Sequence, residues 1–129
     1  MPHLIDLIKE YQKIKKEDLD TRTAFVLEMI EKVITYPPTE PFTKNDILII
    51  DGYTQQLLKD LRKDKQYLRS VRISKIWKKR EHLLQLAKTW HEIEKDYIDE
   101  IEYHQEIKWL RDERRKLILS MKKDLENND

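Results

Sequence analysis

Apolar residues recur at three- and four-residue steps through most of this chain. Leu4, Leu7, Ile8, Tyr11 and Ile14 open the pattern, and their spacing predicts an amphipathic helix. Polar residues from Lys15 to Asp20 interrupt it. Asp20 or Thr21 then offers an N-cap for a second helical segment. Its apolar face is Phe25, Val26, Met29, Ile30, Val33 and Ile34. These two segments are either one bent helix or two.

The stretch Thr35 to Phe42 contains Pro37, Pro38 and Pro41. A proline inside a helix lacks an N–H donor and clashes with the preceding turn, so 37–42 is predicted to be a linker. Thr43 with Asp46 three residues later is a variant of the capping box, and Phe42 with Ile47 suits a hydrophobic staple. Ile47 to Ile50 is β-branched-rich and precedes Asp51-Gly52, which allows a short strand and turn. No partner strand is evident, so a helix that kinks or restarts near Gly52 is expected instead. Beyond it runs Leu57, Leu58, Leu61, Leu68, Val71 and Ile76, then Leu83, Leu84, Ala87 and Trp90.

A helix unbroken from Tyr53 to Glu126 would be ~110 Å long, too long for one domain. A coiled coil does not fit either, because Lys65, Arg72 and Lys79 recur every seven residues beside the apolar stripe. A break is therefore expected between Lys88 and Glu100. Thr89 with Glu92 forms one candidate capping box, and Asp99 is a second candidate start. The last helix carries Ile101, Ile107, Leu110, Leu117, Ile118, Met121 and Leu125.

These elements predict an all-α bundle of four or five helices with one or two long central helices. It forms a single domain over residues 1–129: N-terminal helices in 1–36, the linker, and long helices in 43–126 broken near 88–100. Composition agrees. The 129 residues hold one glycine, and charged residues reach 40% against 39% hydrophobic. That balance suits extended helices with one buried stripe and several wet faces. No cysteine is present, which excludes disulfides and thiol chemistry. Residues 1–7 lack a signal-peptide core, and no apolar run approaches the ~18 residues needed to span a bilayer. The expectation is a soluble intracellular protein, in cytoplasm, nucleoid or nucleus, that is not secreted and has no membrane partner.

Net charge is only +1, but the charges are segregated. From Lys59 to Arg80 ten cations face only Asp60 and Asp64. From Glu92 to Glu106 seven carboxylates face only Lys95. Projected on one helix, Arg72 falls near the face of Leu61 and Leu68, with Lys65 and Arg69 flanking it. Ile73, Ile76 and Trp77 widen the apolar arc. Arg69, Arg72, Lys75, Ile76 and Trp77 are therefore candidates for an interface or a buried ion pair, since guanidinium tolerates bidentate pairing with carboxylate. Asp96, Asp99 and Glu100 are the expected acidic partners. Lys65, Arg69, Lys78, Lys79 and Arg80 are candidates for contact with nucleic acid, with Tyr67 or Trp77 stacking on bases. The near-zero net charge makes that role secondary. Of Trp77, Trp90 and Trp109, two are assigned to the core and at least one to an interface.

Chemistry-bearing motifs are missing from the sequence. It has no glycine-rich phosphate loop, no Gly-x-Ser-x-Gly and no His-Glu-x-x-His. Glu100 with His104, and His91 with Glu94, sit within one turn, which suits solvated pairs better than metal ligands. No catalytic residue, metal or cofactor is assigned.

Tyr67-Leu68-Arg69, then Arg72-Ile-Ser-Lys75-Ile76, then Leu83-Leu84 resembles the long central helix of GINS subunits, which carry an arginine–x–x–lysine–isoleucine pattern there. Asp99 to His104, leading to Trp109-Leu110, looks like the helix that follows. The resemblance covers residues 45–125 through short motifs. It implies a helical A-domain packed against sister subunits in a tetramer, a non-enzymatic activator of the replicative helicase. Arg72, Lys75 and Ile76 would be structural positions of its central helix. GINS subunits also carry a small β-rich domain, for which this chain has no room. The function expected is a non-enzymatic interaction subunit, in a hetero- or homo-oligomer, of a DNA replication complex. A small helical nucleic-acid-binding or regulatory protein, of phage or mobile-element type, is the alternative.

Overall fold

The computed structural model describes residues 4–35, 44–95 and 99–126. Six α-helices make up the chain there: α1 (Leu4–Gln12), α2 (Leu19–Thr35), α3 (Lys44–Lys63), α4 (Tyr67–Trp77), α5 (Arg80–Lys95) and α6 (Glu100–Glu126). The expected all-α bundle is what the chain forms. Only Lys78 and Lys79 separate α4 from α5, so these two act as one bent rod. The proline linker and the Phe42–Thr43 cap lie outside the described residues.

The first two segments are separate helices. α1 closes with the Lys13 and Ile14 amides donating to the carbonyls of Glu10 and Tyr11. α2 is capped by Asp18, whose Oδ1 accepts from the Thr21 amide at 3.2 Å, rather than by Asp20 or Thr21. The Ile47–Ile50 run is helical, and α3 passes through Gly52 without a break. Gly52 faces outward, and a Cβ built there meets nothing within 4 Å. The run's β-branched residues are held in a helix because Ile47 and Ile50 drop into the core beside Leu57, Leu58 and Leu61. Burying each such side chain is worth about 1.5–3 kcal/mol, more than its β preference.

α3 ends where no glycine or proline stands. Lys65 takes a φ of 60°. The Gln66 amide donates to the Leu61 carbonyl at 2.9 Å and the Lys65 amide to Arg62 at 3.1 Å. This is the Schellman closure of a helix, with lysine at the left-handed position usually taken by glycine. The turn resets the helical phase. Leu68 and Val71 would continue the α3 stripe on an unbroken helix. In α4 they face out, while Ser70, Ile73, Ile76 and Trp77 go in. Thr89 lies inside α5, its hydroxyl donating to the Gln85 carbonyl, so it caps nothing. Asp99 does: its Oδ1 accepts from the Ile101 and Glu102 amides at 2.8 and 3.1 Å.

The contacts fix the directions of the rods. Asp51, midway along α3, meets Trp77 and Arg80 at the α4–α5 junction. Ile47, near the start of α3, lines a water-sized void of about 10 Å³ with Leu83, Leu86 and Trp90. α3 therefore runs antiparallel to α4–α5. So does α6: Arg111 lies over the Trp90 ring at 5.9 Å, and Asp124 reaches Lys79. The α3–α4 turn and the α5–α6 connection consequently sit at opposite ends of the bundle. α2 packs on α1, α3 and α6, with Val26, Met29 and Ile30 fully buried.

Candidate interaction surface

α4 has two apolar faces. One belongs to the core: Ile73, Ile76 and Trp77 are each 1% exposed. The Trp77 indole N–H donates to Asp51 Oδ1 at 2.9 Å, and Arg80 pairs with the same carboxylate at 2.7 Å. The other face is open. Leu68 is 89% exposed, Val71 64% and Tyr67 58%. Isolated exposed apolar residues need no explanation, but three within one helical turn form a ridge.

Beside the ridge lies a shallow groove of about 710 Å³, lined by Gly52, Gln55, Gln56, Lys59, Arg62, Lys63 and Tyr67. Gly52, lacking a side chain, leaves its upper end open. The three cations stand on the last turns of α3, where they also complement the helix dipole. Tyr67 belongs to both features, so ridge and groove form one surface around the α3–α4 turn.

Within the segment Lys65 to Arg80 the candidate residues take different environments. Ile76 and Trp77 are core residues of this chain and cannot line an interface in this fold. Arg69 pairs with Asp20 at 2.6 Å. Lys79 pairs with Asp124 at 2.8 Å and also donates to the Ser120 hydroxyl. Arg80 is held by Asp51. Arg72 is half-buried and lines a hollow with Glu28, Glu31 and Leu125, so it belongs to the α2–α4–α6 packing. Lys65, Lys75 and Lys78 are exposed. The candidate nucleic-acid cations are thus divided, three drawn into ion pairs within the fold and two left in solvent.

The paired carboxylates are not the expected ones. Asp20, Asp51 and Asp124 serve the basic segment, whereas Asp99 caps α6 and Glu100 stands 3.8 Å from His104. Asp96 lies outside the described residues. A buried ion pair does exist, but between α2 and α3 rather than between the basic segment and the acidic one. Arg22 of α2 and Asp60 of α3 meet at 2.9 Å with side chains 6% and 10% exposed. Arg22 Nε donates to the Tyr11 hydroxyl at 3.1 Å, and Nη1 to the Lys16 carbonyl at 2.6 Å. One signal was available: Arg22 occupies an i−4 position to Val26 on the apolar side of α2.

A second exposed apolar set stands at the other end. Ile101 is 71% and Trp109 56% exposed, on one ridge of α6 with Gln105 between them. Trp77 and Trp90 are buried, so Trp109 is the tryptophan on the outside. Glu100, Glu102 and Glu106 on the same helix, and Glu92 and Glu94 on the last turns of α5, are all exposed. Among the described residues no group of three or more histidines and carboxylates converges on a metal-sized site. Among the same residues no helix is long and apolar enough to cross a membrane. Comparison with family models, curated proteins and solved structures gives no match for this chain.

Proposed function

We propose that this chain is a non-enzymatic helical interaction subunit that docks another protein on the α4 ridge. One observation carries the proposal: Leu68 stands 89% exposed between exposed Tyr67 and Val71, on a helix whose other face is already anchored in the core. A rigid, preformed apolar ridge loses little entropy on docking, and covering each such side chain contributes about 1.5–3 kcal/mol. Tyrosine and leucine beside a rim of lysine and arginine match the anatomy of a protein interface.

The setting we propose is intracellular, in a complex of helical subunits. The residues behind the GINS resemblance support that choice, because Arg72, Lys75 and Ile76 lie on the same helix as the ridge. A role alongside a replicative helicase belongs to this proposal. Nucleic acid as the main partner is less well supported, since Arg69, Lys79 and Arg80 are paired within the fold.

The test is a pull-down of the tagged chain from its native extract at moderate and high salt, beside the variant Leu68→Asp/Val71→Asp. Stoichiometric protein partners that survive salt and vanish with the variant, at unchanged melting temperature, are the expected result. Partners retained by the variant, or nucleic acid alone that washes away with salt, would overturn the proposal.

A further inference from the structure

The two ends of the bundle are complementary in both charge and apolar surface. At the α3–α4 end, Lys59, Arg62 and Lys63 line one groove with Tyr67, Lys65 stands in the turn, and Leu68 and Val71 follow exposed on α4; Asp64 and the Arg69-paired Asp20 are exposed carboxylates there. At the α5–α6 end, Glu94 and Glu100 line one hollow with His104, Glu102 and Glu106 share α6 with exposed Ile101 and Trp109, and Glu92 is exposed on the last turns of α5; Lys95 and Lys108 are exposed cations there.

Part of this segregation serves the helices themselves. Cations at the end of α3 and carboxylates in the first turn of α6 both favour the helix dipole. That explanation does not extend to the apolar residues. Nothing about a dipole requires Leu68, Val71, Ile101 and Trp109 in water, and each stands amid the charges of its own end. An apolar centre inside a rim of one charge sign is how a surface selects a partner of the opposite sign.

We infer that the partner of the α4 ridge is a second copy of this chain, whose α6 ridge of Ile101 and Trp109 docks on Leu68 and Val71 while its carboxylates face Lys59, Arg62 and Lys63. The inference rests on the proposed role of the ridge and names its occupant. The contact joins two different patches, so each copy carries both halves of it. The two patches lie at opposite ends of one bundle, so they do not meet within a single copy. Salt weakens the charged rim and spares the apolar centre, so association decreases moderately with ionic strength and persists at high salt.

Sedimentation velocity on purified protein tests this with two variants. Leu68→Asp/Val71→Asp disables the basic end, and Ile101→Ala/Trp109→Ala disables the acidic end. All four positions are exposed, and unchanged far-UV dichroism and melting confirm that both variants fold. The wild type is expected to associate with rising concentration. Each variant alone is expected to associate about thirtyfold more weakly or worse, as for loss of a central hot spot. An equimolar mixture regains association, because one intact basic end and one intact acidic end remain. A wild type that stays monomeric at its highest soluble concentration would overturn the inference, as would either variant alone assembling like the parent, or a mixture no better than its components. If the wild type is monomeric yet still captures a different protein through Leu68, the self-association fails while the docking role of the ridge stands.

Discussion

Arg22 of α2 and Asp60 of α3 meet at 2.9 Å with their side chains almost wholly removed from water. The pair ties three elements, because the same guanidinium donates to the Tyr11 hydroxyl and to the Lys16 carbonyl. Removing one member leaves the other charged and buried. Arg22→Ala or Asp60→Ala is expected to cost about 3–5 kcal/mol in urea denaturation. Replacing both by apolar residues, Arg22→Met with Asp60→Leu, should cost less than either single change. Additive losses in the double variant would show that the two groups do not act as a pair.

The same pair predicts a pH dependence. Burial by itself raises the Asp60 carboxyl, but hydrogen bonding and attraction from Arg22 outweigh it, and the pKa lies below the ordinary carboxylate value. A depressed folded-state pKa gives stability that is complete above the unfolded value of about 4 and is lost as pH falls through the folded one. The stability gap between wild type and Asp60→Asn is therefore expected to be constant from neutral pH to about pH 5 and to narrow below about pH 4. Denaturation series at several pH values measure it, and a gap unchanged in acid would contradict this account.

The two faces of α4 should respond in opposite ways to substitution. Leu68→Ala is expected to change folding stability by no more than about 0.5 kcal/mol, as for other exposed positions. Ile73→Ala, five residues on and buried, should cost about 2–5 kcal/mol. Thermal or chemical melts of the two single variants decide this. Comparable losses at both positions would mean that α4 is rotated from the orientation described.

Glycine stands where the backbone does not need it and is missing where it does. Gly52 lies inside α3 with open space at its Cβ position. Gly52→Ala should therefore stabilise by about 0.5–1 kcal/mol. Lys65 holds a left-handed conformation that costs an L-residue about 1–2 kcal/mol. Lys65→Gly should recover about 1 kcal/mol of it. Differential scanning calorimetry of each variant reads the shift in melting temperature, and a fall in either would contradict the local geometry.

Helical character was legible from periodicity throughout, but the breaks that divide α3, α4 and α5 were not; Asp99, one of two candidate starts, is the cap because its carboxylate stands just before a run of apolar spacing. The end of α3 was not legible. A Schellman turn closed by lysine leaves no glycine or proline in the sequence, so projecting Asp60 to Arg80 onto one helix carries the wrong phase past Lys65. That error put Leu68 and Val71 on the buried stripe and made Arg72 look embedded among them. Gly52 drew attention for the converse reason, since a glycine on a wet helix face carries no structural message. Arg22 passed unnoticed because its significance depends on Tyr11 and Asp60, brought to it only by the packing of α1 and α3. The wide apolar arc of α4 was legible, and so was the segregation of charge. The placement of the two charged segments at opposite ends follows from the antiparallel course of α3 and α6 along the α4–α5 rod, which no local pattern encodes.

The exposed ridge of α4 as an interaction surface is tested in native extract by a photo-crosslinking residue at position 68, compared with one at exposed position 116 on α6. A discrete crosslinked protein is expected from position 68, absent from position 116 and lost when Val71→Asp is added. No protein product from position 68, or the same product from both positions, would contradict it.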